Sequence, residues 1–265
     1  MGFYNWLDAL ITATAWKMIK PPSYGWFHIL FTLIGFVICG IAAWKLRKVS
    51  EKTNKIILIG CGAFLLICEV YKQLFYYFYL SSNRYDWGIF PFHLCSVPMY
   101  LCLIAPLLKP GKVQKGMYSF MMIYNLLSGA ISFTEPSGLL HDYWTLTLHA
   151  MIWHMMIVFV GLYLYLSNRG GNTLKDYKNA TVTLLCLCAL AFCINLIFRD
   201  VSNGSINMFF VGPSNSSIIV FKQISEMFGW YYSTALYIPA LCLGGYLVFL
   251  PKYLINKKKA LKTTV

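Results

Sequence analysis

Charged side chains are scarce in this chain of 265 residues. Asp, Glu, Lys and Arg together make up 12% of it, and only nine residues are acidic. A soluble domain carries about 25% charged residues, so an ordinary water-soluble fold is excluded. Hydrophobic residues make up 58% of the chain, and the mean hydropathy is +0.61. This composition is typical of a polytopic membrane protein.

Several other signals are missing from the sequence. None of the nine cysteines belongs to a C-x-x-C pair, and all of them fall in apolar stretches. Neither a disulfide framework nor a metal site is indicated, and no cofactor is expected. The N-terminus has no basic segment before its apolar run, which Asp8 interrupts, so no cleavable signal peptide is expected. No internal repeat indicates the inverted halves that many transporters have.

The net charge of +13 is spread over short basic clusters between apolar stretches. A nucleic-acid-binding protein would gather its basic residues on one helix or groove, so nucleic acid is not expected as a partner. The clusters follow every second apolar stretch, and the remaining loops are nearly neutral or acidic. By the positive-inside bias, this alternation predicts an odd number of spans, with the N-terminus outside and the C-terminus in the cytoplasm. We expect a multi-pass protein of the plasma membrane.

The apolar stretches predict an all-α polytopic bundle of about seven transmembrane helices, because a span needs about 20 residues. The predicted spans are residues 26–44, 56–80, 89–108, 117–133, 143–166, 180–198 and 231–250.

Three domains follow from this count. Residues 1–22 predict an interfacial amphipathic helix that ends at a Pro-Pro pair. Residues 23–252 form the predicted transmembrane domain, and residues 253–265 form a basic cytoplasmic tail. The connection 199–230 is predicted to re-enter the membrane or to lie along its surface.

The third predicted span contains residues that a lipid-facing helix does not need. His93, Cys95 and Ser96 lie close together in it, with prolines at positions 91, 98 and 106. A helix that lines an internal pocket could use all of them. Because His93 is two residues from Cys95, a helix would point it away from the Cys95 pocket.

Ionisable groups at membrane depth cost at least about 2.5–3.5 kcal/mol each, so each needs a reason. Glu69 and Lys72 are three residues apart on one predicted helix face, which predicts a neutralising pair. Alternatively, Glu69 orients a histidine, or Lys72 binds a lipid phosphate. His149 and His154 lie in the fifth predicted span. Two asparagines, Asn125 and Asn207, could donate hydrogen bonds within the bundle.

Depth in the membrane bears on which histidine faces Cys95. At 1.5 Å per residue, Cys95 lies about 10 Å below the outer end of its span. The same rise puts His149 at about 9 Å and His154 at about 16 Å in a span of the same direction. Either imidazole could reach the thiol if the two spans are neighbours. Depth alone favours His149.

Four motifs occur together in this chain. They are F-P-F-H-L-C-S at 90–96, T-E-P at 134–136, H-A-M-I-W-H-M-M at 149–156 and N-M-F-F-V-G-P at 207–213. In combination they resemble the YwaF-like family of bacterial integral membrane proteins, over about residues 55–250. That family is similar to a eukaryotic transmembrane acyltransferase family, which moves fatty acyl groups between phospholipids with an intramembrane Cys and His.

The resemblance implies specific roles for two residues. Cys95 would be the nucleophile, and His154 would be the base, since His154 heads the piece that ends at Tyr163 and Leu164. This choice of base differs from the one that depth favours.

Three functions therefore compete. The first is an acyltransferase or lipid hydrolase that acts on phospholipid acyl esters through a Cys/His pair. The second is a permease or channel for a solute or protons that uses Glu69, His149 and His154. The third is a non-catalytic membrane sensor or assembly component. Membrane lipids are the expected substrate or environment, and the sequence predicts no particular protein partner.

Overall fold

The structure is a computed structural model that describes residues 2–263. Residue 1 and residues 264–265, at the ends of the predicted N-terminal helix and basic tail, lie outside the described residues. Helices make up all the regular structure in residues 2–263, which confirms the all-α class. The α-helices are α1 (Phe3–Thr12), α2 (Trp26–Leu46), α3 (Glu51–Phe75), α4 (Val97–Ile104), α5 (Lys112–Phe120), α6 (Leu126–Ser132), α7 (Trp144–Leu166), α8 (Leu174–Ile197), α9 (Ile219–Phe228) and α10 (Trp230–Thr263).

Five helical stretches in the described part of the chain are long and apolar enough to cross a membrane. They are Trp26–Leu46, Glu51–Leu80, Trp144–Leu166, Leu174–Ile197 and Trp230–Leu261. They correspond to the first, second, fifth, sixth and seventh predicted spans. The chain is thus a multi-pass membrane protein, whereas the count of seven spans and the orientation remain predictions.

The third predicted span is not one continuous helix. The α-helix α4 begins only at Val97, and a 3-10 turn extends it to Leu107. Residues 90–96 form no regular helix, because a proline at position 91 lacks an amide donor and restricts the residue before it. Pro98 lies in the first turn of α4, where its fixed φ is favourable. The prediction of a transmembrane helix over 89–108 is therefore wrong for residues 90–96.

The fourth predicted span is helical throughout but irregular. A π-helical turn, Met121–Asn125, joins α5 to α6. Such turns are rare and are often found at functional sites. Here the turn carries Tyr124 and Asn125, both fully buried. It therefore redirects two polar side chains into the interior of the bundle.

The N-terminal helix is shorter than predicted, since α1 ends at Thr12. The following residues run extended beside the loop that precedes α7. Met18 N–H donates to Asp142 O at 2.9 Å, and Trp144 N–H donates to Trp16 O at 2.9 Å. The N-terminal segment is thus tied to the end of the bundle where α7 begins.

The basic clusters meet at the opposite end of α7. Arg169 pairs with Glu51 at 2.9 Å, and Lys115 Nζ donates to Arg169 O at 3.1 Å. Buried Lys252 donates to Tyr165 O. Four basic segments that are distant in sequence therefore share one end of the bundle. The positive-inside bias predicts that this end faces the cytoplasm.

Glycines allow close helix packing in the core, and Gly161 of α7 gives the first testable case. A Cβ added there would lie 2.6 Å from Leu126 Cβ and 3.0 Å from Leu126 Cα. Backbone cannot move aside as a flexible side chain can, so we expect Gly161→Ala to destabilise the protein by about 1–3 kcal/mol. Gly40→Ala is the control, because a Cβ at Gly40 meets nothing within 4 Å. Thermal unfolding in detergent should separate the two variants, and equal midpoints would refute this packing.

Candidate functional site

One pocket inside the bundle brings together most of the predicted site residues. We call it the Cys95 pocket. Its cavity volume is about 150 Å³. It is lined by Lys72, Tyr76, His93, Cys95, Ser96, Gly138, His141, Leu146, His149, Ala150, Trp153 and His154.

Helix α7 supplies one wall of the Cys95 pocket. The α7 residues that line it are Leu146, His149, Ala150, Trp153 and His154. These positions are separated by intervals of three and four residues, which place them on one helix face. Neighbouring positions Leu148 and Ile152 are exposed on the outer surface of the bundle. The α7 sequence thus separates a polar face toward the pocket from an apolar face toward lipid.

The facing wall comes from residues 90–96, which form no regular helix and place His93, Cys95 and Ser96 in the pocket. Side chains satisfy the backbone carbonyls of this segment and of the 3-10 turn Trp87–Ile89 before it. In a membrane, each unsatisfied carbonyl costs several kcal/mol. Five carbonyl oxygens here accept side-chain hydrogen bonds: Gly88 from His93 at 3.1 Å, Ile89 from Gln73 at 2.8 Å, Pro91 from Tyr100 at 2.8 Å, Leu94 from Asn125 at 3.0 Å and Cys95 from Trp153 at 3.0 Å. These side-chain bonds therefore hold the segment in one conformation together with a few turn bonds of its own backbone, such as Ser96 N–H to His93 O at 2.8 Å.

Cys95 occupies a position that suits a reactive thiol. It lies just before the N-terminus of α4, where Ser96 is the N-cap residue. The positive end of a helix dipole and a nearby cation both stabilise a thiolate. Lys72 lines the same pocket, and Glu69, 2.9 Å from its Nζ, balances part of its charge there. The other buried cysteines, such as Cys61 and Cys102, line neither this pocket nor the second pocket described below.

Both predicted candidate bases reach the Cys95 pocket with one ring nitrogen free. His154 Nδ1 is 2.8 Å from Ala150 O, and a carbonyl can only accept, so Nδ1 carries the proton and Nε2 the lone pair. His149 Nε2 is 3.0 Å from Cys68 O, which leaves the lone pair on Nδ1. Neither imidazole is hydrogen-bonded to the Cys95 thiol in the described residues. The geometry thus offers two imidazole bases for one thiol.

Glu69 and Lys72 form the predicted pair. Lys72 Nζ lies 2.9 Å from Glu69 Oε1, and Gln73 Nε2 donates to the same oxygen at 2.7 Å. Glu69 is 3% exposed, and its Oε2 has no partner among the described residues. Glu69 orients Lys72 and Gln73 here, whereas neither of its oxygens bonds a histidine.

The expectation that His93 points away from the Cys95 pocket is wrong. It assumed a helix through residues 90–96, whereas the chain there is irregular, and His93 lines the same pocket as Cys95. The two predicted asparagines have structural contacts. Asn125 Nδ2 donates to Leu94 O at 3.0 Å. The Asn207 side chain forms hydrogen bonds within its own loop, with the backbone of Gly212, Ser214 and Asn215.

Sequence reasoning missed two residues of this site. Trp153 lies between the two histidines in the sequence, and its Nε1 donates to Cys95 O at 3.0 Å. Its spacing of four residues from His149 was the available signal, because it places both residues on one face of α7. His141 comes from the loop before α7 and lines the pocket. Burial lowers the pKa of His141, Lys20 acts in the same direction, and Asp142 opposes them. The His141 imidazole is therefore neutral at neutral pH.

The side chains of the Cys95 pocket do not form a metal-ligand cluster. Within residues 2–263, no group of three or more His, Cys, Asp or Glu side chains is arranged to hold a metal ion. The groups that the pocket offers for chemistry are one thiol, four imidazoles, one ammonium group, the Ser96 hydroxyl and the Tyr76 phenol.

The hydrogen bond from Asn125 to the Leu94 carbonyl gives a second testable case. Asn125→Leu would leave that carbonyl without its donor in a fully buried site. We expect a loss of about 1–3 kcal/mol in the free energy of unfolding and a looser segment around Cys95. Asn179→Leu is the matched control, because the Asn179 side chain makes no hydrogen bond in the described structure. Thermal unfolding and the accessibility of Cys95 to a maleimide would both report the change, and wild-type values in both would contradict the assignment.

Comparison with known proteins identifies a family for this chain. The sequence model of the TMEM164 family matches residues 23–248. This range includes all the residues of the Cys95 pocket. No curated protein and no solved structure matches the chain.

Proposed function

The chain belongs to the TMEM164 family of transmembrane proteins, and we propose that it is a membrane-embedded acyltransferase that acts on phospholipid acyl esters. Cys95 is the nucleophile of this proposal and His154 is its base. The proposal also takes the plasma membrane as the site of action.

One observation carries the proposal. Cys95, His149 and His154 line one pocket together with Lys72, although α3, α7 and the segment before α4 are three separate elements of the chain. A nucleophile needs a base within reach and a field that favours its anion. In this proposal an imidazole lone pair is the base, and the N-terminus of α4 together with the Lys72 ammonium group provides the field. The resemblance to the Cys/His acyltransferases then favours His154 over His149 as the base.

The reaction follows from these groups in two steps. His154 Nε2 takes the proton from Cys95 Sγ, and the thiolate attacks the ester carbonyl carbon. The ester C–O bond breaks, the lysolipid oxygen takes the proton back from His154, and an acyl thioester remains on Cys95. In the second step His154 removes the proton from an acceptor hydroxyl, whose oxygen attacks the thioester. The C–S bond breaks, and the Cys95 thiolate is protonated again.

The pocket volume limits what can bind inside it. A volume of about 150 Å³ corresponds to roughly five water molecules at about 30 Å³ each. That space suits an ester group with a few carbons, so the acyl chain has to extend out of the pocket. A membrane enzyme can leave the chain in the lipid and shield the thioester from bulk water.

The transport alternative has weaker support. A permease that uses Glu69 would need that carboxylate available to its solute or proton path. Glu69 instead pairs with Lys72 and Gln73 and is almost fully buried. The Cys95 pocket is the feature that distinguishes the two functions, because a permease has no use for its thiol.

The test is to trap the thioester. Purified protein in nanodiscs would be incubated with a phospholipid that carries an alkyne-tagged acyl chain, and the tag on the protein would be read by gel fluorescence. We expect a tag that hydroxylamine removes, since hydroxylamine cleaves thioesters, and a Cys95 peptide that carries the acyl mass. Cys186→Ala is the matched control, because Cys186 is exposed and lines neither described pocket.

Two outcomes would reject this function. The first is wild-type protein that acquires no hydroxylamine-sensitive acyl group from any phospholipid. The second is a tag that Cys186→Ala and Cys95→Ala lose equally. Intact solute uptake that fails in Glu69→Gln would then favour a permease.

A further inference from the structure

A second, larger pocket adjoins the first one. Its cavity volume is about 430 Å³, which lies in the range of about 300–1,000 Å³ for small-molecule sites. We call it the serine-rich pocket. It is lined by Gly88, His93, Gly204, Ser205, Asn207, Phe210, Ser214, Asn215 and Ser217.

Two irregular segments build the serine-rich pocket. One contains Gly88 and His93, and the other is the connection between α8 and α9. They meet through aromatic contacts, with ring centroids 5.7 Å apart for Phe92 and Phe209 and 5.6 Å apart for His93 and Phe210. Irregular backbone inside a membrane protein is tolerated where it is buried or where it lines an aqueous cavity. The meeting of two such segments around a cavity is the arrangement expected of a binding site.

The connection is held in shape by asparagines. The Asn195 side chain donates to Met208 O at 3.1 Å and to Gly212 O at 2.7 Å, and it accepts from Met208 N at 2.7 Å. Asn207 makes three more bonds within the loop. Gly212 has a φ of 83°, and a Cβ there would meet the Trp230 ring at 2.1 Å. The polar wall of the pocket is therefore preorganised, which reduces the entropy lost when a ligand binds.

The lining chemistry selects the ligand. No lining residue of the serine-rich pocket is Asp, Glu, Lys or Arg, so nothing there would neutralise a phosphate or an ammonium group. Three of its lining residues are exposed and make no side-chain hydrogen bond within the described residues, so they can donate to and accept from a ligand: Ser205, Asn215 and Ser217. Uncharged hydroxyl and amide groups match a ligand that carries several hydroxyls.

His93 connects the two pockets, since it lines both of them. Its Nε2 lies 3.1 Å from Gly88 O and therefore carries the proton. The lone pair is then on Nδ1, which accepts no hydrogen bond from any residue in the range 2–263. A hydroxyl group could donate to that nitrogen and would stand at the boundary with the Cys95 pocket.

We propose that the serine-rich pocket binds a neutral polyol, namely the glycerol or sugar headgroup of the lipid that accepts the acyl group. One hydroxyl of this headgroup donates a hydrogen bond to His93 Nδ1. The identification of this lipid as the acceptor rests on the proposed function. The binding itself does not depend on it, because Cys95 does not line the serine-rich pocket.

Binding can be measured without turnover in full-length Cys95→Ala protein. The probes are a monoglucosyl diacylglycerol in nanodiscs, phosphatidylcholine as the charged-headgroup comparison, and methyl glucoside as the free polyol. Native mass spectrometry would count retained lipid. We expect the glucosyl lipid to be retained at least about tenfold more tightly than phosphatidylcholine. Competition by methyl glucoside at equal affinity would assign the site to free polyols.

Variants locate the site. Ser205→Leu and Ser217→Leu put an apolar side chain into the pocket and should each weaken retention about tenfold. Ser23→Leu makes the same change at an exposed serine of the N-terminal segment and should retain the lipid as the parent does. Because a leucine variant could misfold, each is first compared with the parent in thermal unfolding. Asn215→Leu tests a third lining residue of the pocket, which is also exposed.

The proposal is overturned if phosphatidylcholine is retained as tightly as the glucosyl lipid. It is also overturned if folded Ser205→Leu and Ser217→Leu proteins retain the glucosyl lipid as tightly as the parent does. These failures are distinct from failure of the proposed function, which is the absence of a thioester in wild-type protein. A protein that forms the thioester without polyol selectivity would keep the first proposal and lose this one.

Discussion

Replacing Cys95 by alanine is expected to abolish acyl transfer, with a loss of about 10³-fold or more in turnover. The physical reason is that the acyl group is carried on Sγ between the two steps, so no thioester can form without it. The remaining groups of the pocket would still bind lipid. The measurement is the transfer of a labelled acyl chain between two lipids in nanodiscs, followed by thin-layer chromatography.

The controls for this variant come from the same region of the chain. Cys102→Ala removes a thiol from the middle of α4 that is fully buried and lines neither described pocket. It should reduce stability through the lost packing, with an activity per folded molecule close to wild type. Cys95→Ser retains the shape of the side chain but is a far weaker nucleophile at neutral pH. Undiminished turnover in Cys95→Ala would rule out covalent catalysis.

The second large effect is expected at the base. Loss of a general base lowers rates by about 10²–10⁴-fold, so His154→Ala should lower thioester formation by this amount. His149→Ala is the matched comparison, because both imidazoles line the pocket from α7 and each has a ring nitrogen without its proton. We expect a smaller effect for His149→Ala, through the loss of its bond to Cys68 O and its stacking on Trp153.

Chemical rescue separates a base from a structural residue. Free imidazole added to His154→Ala should restore part of the rate if the missing group is a proton acceptor, whereas a packing defect would not respond. Rescue in His149→Ala alone would reverse the assignment and make His149 the base. In that case the depth of the two histidines in the membrane would have been a better guide than the resemblance.

The helical class and the membrane location followed from the amino-acid sequence. Apolar stretches of sufficient length in a chain with 12% charged residues can satisfy their backbone in lipid only as helices or closed barrels. The helical pairing of Glu69 and Lys72 was predictable for the same reason, because it depends only on local geometry. The pairing is observed at 2.9 Å.

The conformation around Cys95 was not predictable in this way. Three prolines in a 20-residue apolar stretch are compatible with a kinked helix or with a break. The break forms because Gln73, Asn125 and Trp153, from other helices, donate to the carbonyls that it exposes. Those partners are distant in sequence, so no local pattern reveals them. Treating the stretch as a helix led to the wrong orientation for His93.

The sequence by itself determined five helices that are long and apolar enough to cross a membrane, the basic clusters between apolar stretches and the ionisable residues within those stretches. These are properties of composition and of short-range periodicity. Only the tertiary structure decided which of those residues share a pocket, because the Cys95 pocket combines side chains from α3, α7, the segment before α4 and the loop before α7. It likewise decided that two irregular segments meet at His93, since packing between distant segments brings them together and satisfies the polar groups that each leaves open.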